Sequence, residues 1–597
     1  MRWSGEREAG VAGDIIPSLG RAAGGPATSQ DSEMGAIDRF WLRNYPPGVP
    51  ADIDPTLYPS LGHLLEEAFA RHAQLAAYRG FGVDLTYAAL SRHSAAVGAW
   101  LQKLGLAHGA RVAIMLPNIL AFPVAMAGAL RAGCAVVNVN PLYTPRELEY
   151  QLADSGAEVI FVLENFAATL QAVRDRVPVK HVVLCSMGDL LGPLKGTVVN
   201  FAVRRIRKMV PPFELPGAHR LGAVIAAGRR LNLAPARTGP DDVAFLQYTG
   251  GTTGVSKGAT LLHRNLVANV LQSEAWYQPV LKRVKPGEQI STVVALPLYH
   301  VFALTSCALL STRTGGRCIL IPNPRDLPAM VKELAGQPFH CLPAVNTLFN
   351  ALAHYEPFQR LDFSRLLLSV GGGMAVQQAV AERWLKVTGV PICEGYGLSE
   401  TSPSATCNRT DTDRYSGTIG LPLPSTDIVL LDDDGQPVAI GTAGEIAIRG
   451  PQVMAGYWQR PDETARVMTA DGFLRTGDIG IMDADGYTRI VDRKKDMILV
   501  SGFKVFPNEI ENVLMMHPGV LECAAVGVPD AASGEAVKVF IVKSDPNLTE
   551  RAVRDYCVAQ FTGYKRPKQI EFRASLPKSG VGKVLRRELR DENPAAA

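Results

Sequence analysis

Between Tyr248 and Gly258 the chain reads Tyr-Thr-Gly-Gly-Thr-Thr-Gly-Val-Ser-Lys-Gly. Gly250, Gly251, Gly254 and Gly258 let a backbone turn sharply and aim N–H groups at an anion, Thr249, Thr252, Thr253 and Ser256 add hydroxyl donors, and Lys257 adds positive charge. Such a set suits a polyphosphate. It is not a Walker A loop, because the residues five places after Gly250 and Gly251 are Val255 and Ser256. The apolar VAFLQ ahead of the loop and the stretch behind it predict strand, loop and helix. A second glycine-containing segment, SGVGK, is no P-loop either, since Pro577 stands where the first Walker glycine would be. Taken alone, a Gly/Ser/Thr loop is a surface turn and Lys583 is a solvated lysine. Nine scattered cysteines show no zinc spacing and their odd number fits a reducing cytoplasm.

These residues need a scaffold. From about 60 to 250, runs such as RVAIML, CAVVNV, EVIFVL and KHVVLC alternate with LSRHSAAVGAWLQKLG and PRELEYQLADSG. That alternation predicts βαβ units and largely parallel sheets, an α/β fold. From about 415 to 495, DIVLLDDDGQPV, GEIAIRG and GYTRIVDRKK predict antiparallel strands joined by Asp-Gly turns, a β subdomain. A compact α+β unit follows, with a hinge expected at Lys495. The expected organisation is a disordered tail over 1–33, a large domain over 34–494 and a small mobile C-terminal domain over 495–597, with Met34 an alternative start.

The chain has 597 residues, 47% hydrophobic and 20% charged, with a formal charge of +4. That balance excludes a disordered chain and argues against nucleic-acid binding, while leaving room for a basic face near anionic lipid. The uncharged runs 112–130 and 290–312 are long enough to span a bilayer, but Pro117, Asn118 and Pro123 in one and Pro297, Tyr299 and His300 in the other predict buried strand-turn-helix units.

The glycine loop resembles the phosphate loop of the acyl-adenylate-forming superfamily, and further motifs follow in that family's order. They are LPLYHVFAL (296–304), GGGM (371–374), EGYGLSET (394–401), TGD (476–478), DRKKD (492–496), SGFKVFPNEIE (501–511) and PKSGVGKVLRR (577–587). Residues 471–495 are similar to the signature segment of fatty acyl-CoA synthetases, and from about Met34 the whole chain resembles a bacterial long-chain fatty-acid–CoA ligase. Two positions depart from the commonest forms: Gly250 stands for a frequent Ser, and Ser399 for a frequent Thr.

The resemblance implies ATP, coenzyme A and a long-chain fatty acid as substrates and Mg2+ as cofactor, with an acyl-adenylate as intermediate. It implies a nucleotide site of Thr249, Gly250, Gly251, Thr252, Thr253, Gly254, Ser256 and Lys257 with Gly372, Gly395, Tyr396, Gly397, Ser399, Glu400, Asp478, Arg493 and Lys495. Within it Glu400 is the Mg2+ ligand, Tyr396 meets adenine, Asp478 binds the ribose and Arg493 the ribose or phosphates. Thr253, Glu400, His300 and Lys583 are the expected catalytic set, His300 placing the acid and Lys583 bridging its carboxylate to the α-phosphate. Ser501, Gly502 and Lys504 are expected to meet coenzyme A after the C-terminal domain turns. Peripheral contact with the inner face of the plasma membrane and a homodimer are further expectations. The alternatives are a fatty acyl-AMP ligase that loads a carrier protein and a non-catalytic acyl- or nucleotide-binding scaffold.

Overall fold

Four sheets organise the chain. The computed structural model describes residues 38–249, 256–530, 533–580 and 582–592. The expected tail over 1–33 and the loop residues Gly250, Gly251, Thr252, Thr253 and Gly254 lie outside them.

The first sheet has eight strands and is built as the alternating pattern requires. Arg111–Met115, Ala135–Asn138, Val159–Leu163 and His181–Cys185 are almost wholly buried and pair in parallel. Strands covered on both faces by helices can be continuous apolar runs, which is why these show no polar alternation. The covering helices carry their own start and stop signals. Pro145–Ser155 opens on a capping box between Thr144 and Glu147 and closes at Gly156 with φ of 64°, where a residue without Cβ adopts the left-handed conformation at little cost.

A nine-stranded sheet stands beside it, its centre formed by the parallel strands Ser291–Val294, Cys341–Ala344, Leu368–Gly371 and Ile392–Gly397. The uncharged runs resolve as expected. Residues 112–130 are a strand and the helix Ala121–Arg131, and 290–312 contain the strand Ser291–Val294, a turn through Tyr299 and His300, and the helical segment from Val301. No helix among the described residues is long and apolar enough to cross a membrane.

The β subdomain is a four-stranded antiparallel sheet of Asp427–Leu431, Ala443–Arg449, Leu474–Met482 and Thr488–Arg493. Beyond it lies the five-stranded sheet of a small C-terminal domain, which includes the long hairpin Val520–Asp530 and Gly534–Lys543 and packs the helices Pro507–Met515 and Glu550–Gln560. All nine cysteines are buried and free.

One local expectation fails. The glycine loop is followed by a strand, Lys257–Leu262, antiparallel to Val243–Thr249, and the helix begins only at His263. The reason lies in KGATLL, which is apolar and buried over five of its six residues and continues the sheet before a helix can start. The loop therefore connects two antiparallel strands, and the described residues that follow it continue the sheet before any helix starts.

Candidate active site

A cavity of about 590 Å³ opens where the nine-stranded sheet, the β subdomain and the C-terminal domain meet. It gathers residues from seven of the sequence motifs: Thr249 and Lys257; His300; Gly372; Gly395, Tyr396, Gly397, Ser399 and Glu400; Asp478; Arg493 and Lys495; and Lys583. Beside these polar residues the lining includes the apolar Trp276, Leu296, Val301, Val345 and Leu423.

Asp478 is buried between two partners. The Tyr396 hydroxyl donates to its Oδ2 at 2.7 Å, and Arg493 Nε lies 3.1 Å from its Oδ1. Asp478 and Arg493 face each other across the hairpin Leu474–Met482 and Thr488–Arg493, a register set by an irregularity at Ile479/Gly480. One oxygen of Asp478 thus accepts a hydrogen bond and the other faces a guanidinium, and a carboxylate retains further lone pairs for a diol. The same hydroxyl anchors the Tyr396 ring against the cavity wall.

Lys583 enters from the C-terminal domain on a tight turn. Ser579 N donates to Lys583 O at 2.8 Å, Lys583 N donates to Ser579 Oγ at 3.1 Å, and Lys578 and Val584 form a bridge. The large domain grips this turn, because Thr347 Oγ1 donates to Gly582 O at 3.0 Å. Burial first, together with the positive charges of Arg493, Arg586 and Lys495 and against the opposing charge of Asp478, lowers the Lys583 pKa to about 7. Lys495 is likewise lowered by burial and by Arg493. Three cations converging on one carboxylate leave the cavity short of negative charge, a deficit that a polyanion would fill.

Glu400 sits in the short helix Ser399–Thr401 and is buried. Burial raises its pKa, against the Tyr457 hydroxyl, which donates to Oε1 at 2.8 Å and favours the ionised form. Among the described residues no three His, Cys, Asp or Glu side chains converge as a metal cage. The donor set here is one carboxylate, which fits a divalent cation carried by phosphate oxygens rather than one held by protein alone.

His300 caps the helical turn Val301–Ala303, its Nδ1 accepting from Phe302 N at 3.3 Å. That bond places the ring proton on Nε2. Burial, and then the charge of Lys583, depress its pKa to about 4, so the ring is a neutral donor at pH 7. Gly372 is required for space, since a Cβ there would lie 2.8 Å from the Phe302 ring.

Some expected residues are not brought to the cavity. Ser256 spends its hydroxyl on Thr249 O at 2.7 Å, tying the base of the hairpin. Lys257 reaches the cavity wall but pairs with Glu463 and lies over the Tyr457 ring. Ser501, Gly502 and Lys504 lie on the exposed hairpin Ile498–Val500 and Phe503–Val505 and do not line the cavity. Sequence reasoning missed Tyr457 and Glu463, which touch Glu400 and Lys257 from 57 and 206 residues away. It also missed Trp276. Only the GY pair at 456–457 hinted at a site, and the contacts themselves are tertiary.

The segment 65–458 matches the AMP-binding enzyme family, and 509–583 matches the AMP-binding enzyme C-terminal domain. The chain belongs to the AMP-binding enzyme family. Among its relatives, a long-chain-fatty-acid–CoA ligase of Salmonella typhi is 56% identical over 93% of this chain and 98% of its own. One of Haemophilus influenzae is 50% identical over 94% and 99%. A solved structure, that of the anthranilate CoA ligase AuaEII in complex with anthranoyl-AMP, superposes with a TM-score of 0.79 at 25% identity, covering 91% of this chain and 99% of that one.

Proposed function

We propose that this AMP-binding enzyme is a long-chain fatty-acid–CoA ligase working in two half-reactions at one cavity. The carboxylate oxygen of the acid attacks the α-phosphorus of ATP, pyrophosphate leaves, and acyl-AMP forms. The thiolate of coenzyme A then attacks the acyl carbonyl and AMP leaves, giving the thioester. The observation that carries this reading is the cavity itself, whose lining sets Lys583, Arg493 and Lys495 around Asp478 and also includes apolar side chains such as Trp276, Leu296 and Leu423. The near full-length likeness to long-chain-fatty-acid–CoA ligases supports the choice of acid.

The roles follow from charge and contact. Asp478, held by Tyr396 and Arg493, takes the ribose hydroxyls. Lys583, as ammonium, lies between the acid and the α-phosphate and offsets the charge that builds as they join, the kind of preorganised stabilisation worth about 3–4 kcal/mol. Neutral His300 donates from Nε2 to orient the carboxylate. Glu400 would hold Mg2+, which would supply positive charge to the phosphates of ATP. Arg493 and Thr249 contact the phosphates from the walls.

The hinge is assigned to Lys495. Residues 494–496 form the turn between the last strand of the β subdomain and the first of the C-terminal sheet, Ile498–Val500. Rotation there would withdraw Lys583 and bring Ser501, Gly502 and Lys504 to the cavity for coenzyme A. The test is product formation from ATP, Mg2+, palmitate and coenzyme A, with pyrophosphate and palmitoyl-CoA followed together. Equal release of both supports the ligase; pyrophosphate release with palmitoyl-AMP accumulating despite coenzyme A would replace it with an acyl-AMP ligase.

A further inference from the structure

Of the fourteen large apolar side chains exposed among the described residues, five fall within 194–209: Leu194, Val198, Phe201, Ile206 and Met209. Leu194 is 81% and Ile206 69% exposed, with Val198 and Phe201 above half. Their spacing explains how one short helix shows them together. Leu194, Val198 and Phe201 follow the i, i+4, i+7 rule over Pro193–Phe201. The helix then widens to a π turn over Ala202–Ile206, with Arg207 N donating to Ala202 O at 2.8 Å. An α-helical continuation would carry Ile206 well away from Phe201, whereas one wide turn of five residues returns it to the same face.

The opposite face is pinned to the body of the protein. Gly196 and Gly188 meet so closely that a Cβ on Gly196 would lie 2.5 Å from Gly188 O, and Gly188 N donates to Asn200 Oδ1 at 2.7 Å. Arg204 is bidentate to Glu164 at 2.8 and 2.9 Å. The helix is fixed, and its apolar stripe points outward.

Charge completes the surface. From Pro193 to Phe213 there is no acidic residue, and Lys195, Arg205, Arg207 and Lys208 are exposed and make no ion pair among the described residues. An apolar stripe rimmed by unpaired cations on a rigid helix has the composition of an interfacial anchor. At nine plus five residues the helix is about 20 Å long, too short to cross a hydrocarbon core. A second copy of this chain is a poor occupant, because self-complementary pairing would set the same four cations against each other.

We infer that Pro193–Met209 docks the protein on an anionic phospholipid surface, with Leu194, Val198, Phe201 and Ile206 entering the acyl boundary and Lys195, Arg205, Arg207 and Lys208 meeting phosphate headgroups. The inference goes beyond the ligase reading and stands apart from it, since none of these residues lines the cavity.

Flotation of the full chain with vesicles of equal parts phosphatidylglycerol and phosphatidylcholine, against phosphatidylcholine alone, tests it. Wild type should float with the anionic vesicles and lose most of that binding at high salt. Phe201→Ser with Ile206→Ser, and separately Arg205→Glu with Arg207→Glu and Lys208→Glu, should each weaken binding at least about tenfold. Both variants should form palmitoyl-CoA from detergent-dispersed palmitate at the wild-type rate, so a failure of docking is distinguishable from a failure of the ligase reading. Arg207→Ala with Lys208→Ala reads the same charge if the triple reversal does not fold. Wild type left at the bottom with every vesicle, or variants floating like wild type, overturns the inference. So does a wild-type dimer that Phe201→Ser with Ile206→Ser converts to monomer while flotation is unchanged.

Discussion

The C-terminal domain carries two small hairpin turns with opposite surroundings. The turn around Lys578 and Val584 is held by Thr347 of the large domain and delivers Lys583 to the cavity. The turn between Val500 and Phe503 has Ser501 and Gly502 at φ of 51° and 82° and is exposed. Positive φ at both central residues is the two-residue hairpin geometry that leaves backbone groups at the tip open to a ligand. One turn is thus placed for adenylation, and the other waits outside. The contrast teaches that this arrangement serves the first half-reaction, and that one small domain can hold the tools of both.

The interface beside the 494–496 turn gives the contrast a physical basis. Arg586 joins Glu511 at 2.7 Å, Asp492 at 3.5 Å and Asp496 at 3.7 Å, tying the Lys583 segment to both sides of the 494–496 turn. Burial raises the Asp492 pKa to about 6 against the attraction of Arg586.

Changes at the shared nucleotide wall should have the largest effect and fall on both turns alike. Asp478→Ala leaves Arg493 without its partner beside Lys583, and kcat/KM for ATP should drop about 10²- to 10³-fold, the usual cost of breaking a buried charged pair. Steady-state kinetics in ATP checks this. Next in size, Gly502→Val would force a β-branched residue into the left-handed region. Thioester formation should fall about tenfold at an unchanged rate of pyrophosphate release, a split that single-turnover assays resolve. If adenylation fell equally, the exposed turn would not be specific to the second step.

Smaller effects sharpen the picture. Tyr457→Phe removes the bond that favours ionised Glu400, and a hydrogen bond to a charged group is worth about 1.5–3 kcal/mol. Half-maximal activity should then require roughly tenfold more Mg2+ in a titration at fixed ATP. The pH profile gives the mildest test. Lys583, with its pKa lowered to about 7, is ammonium below that pH and neutral above it in the free enzyme. If the ammonium is the working form, kcat/KM for adenylation declines as pH rises through about 7, whereas kcat holds to higher pH because bound ATP favours the charged form. His300, neutral above about 4, adds no limb in that range.

Much of this was legible in the sequence because it rests on short-range pattern. The parallel strands showed as apolar runs, the helix at Pro145 by the pattern PRELEYQLADSG between them, and the β subdomain by its Asp-Gly turns. The strand after the glycine loop was read as helix because KGATLL is too short for its period to decide. The pairing at the ribose site was hidden by one irregularity. Continued from Gly480 opposite Ile490, the register would have set Asp478 against Asp492, and the shift at Ile479/Gly480 puts Arg493 there instead. Tyr457 and Glu463 were hidden for a different reason: their partners belong to other segments of the fold.

The central claim, that Lys583 serves adenylation alone, is tested most directly by Lys583→Ala assayed on each half-reaction. The account predicts that pyrophosphate release from ATP and palmitate falls about 10²- to 10³-fold, while supplied palmitoyl-AMP and coenzyme A still give palmitoyl-CoA at nearly the wild-type rate. An equal loss in both half-reactions would contradict it.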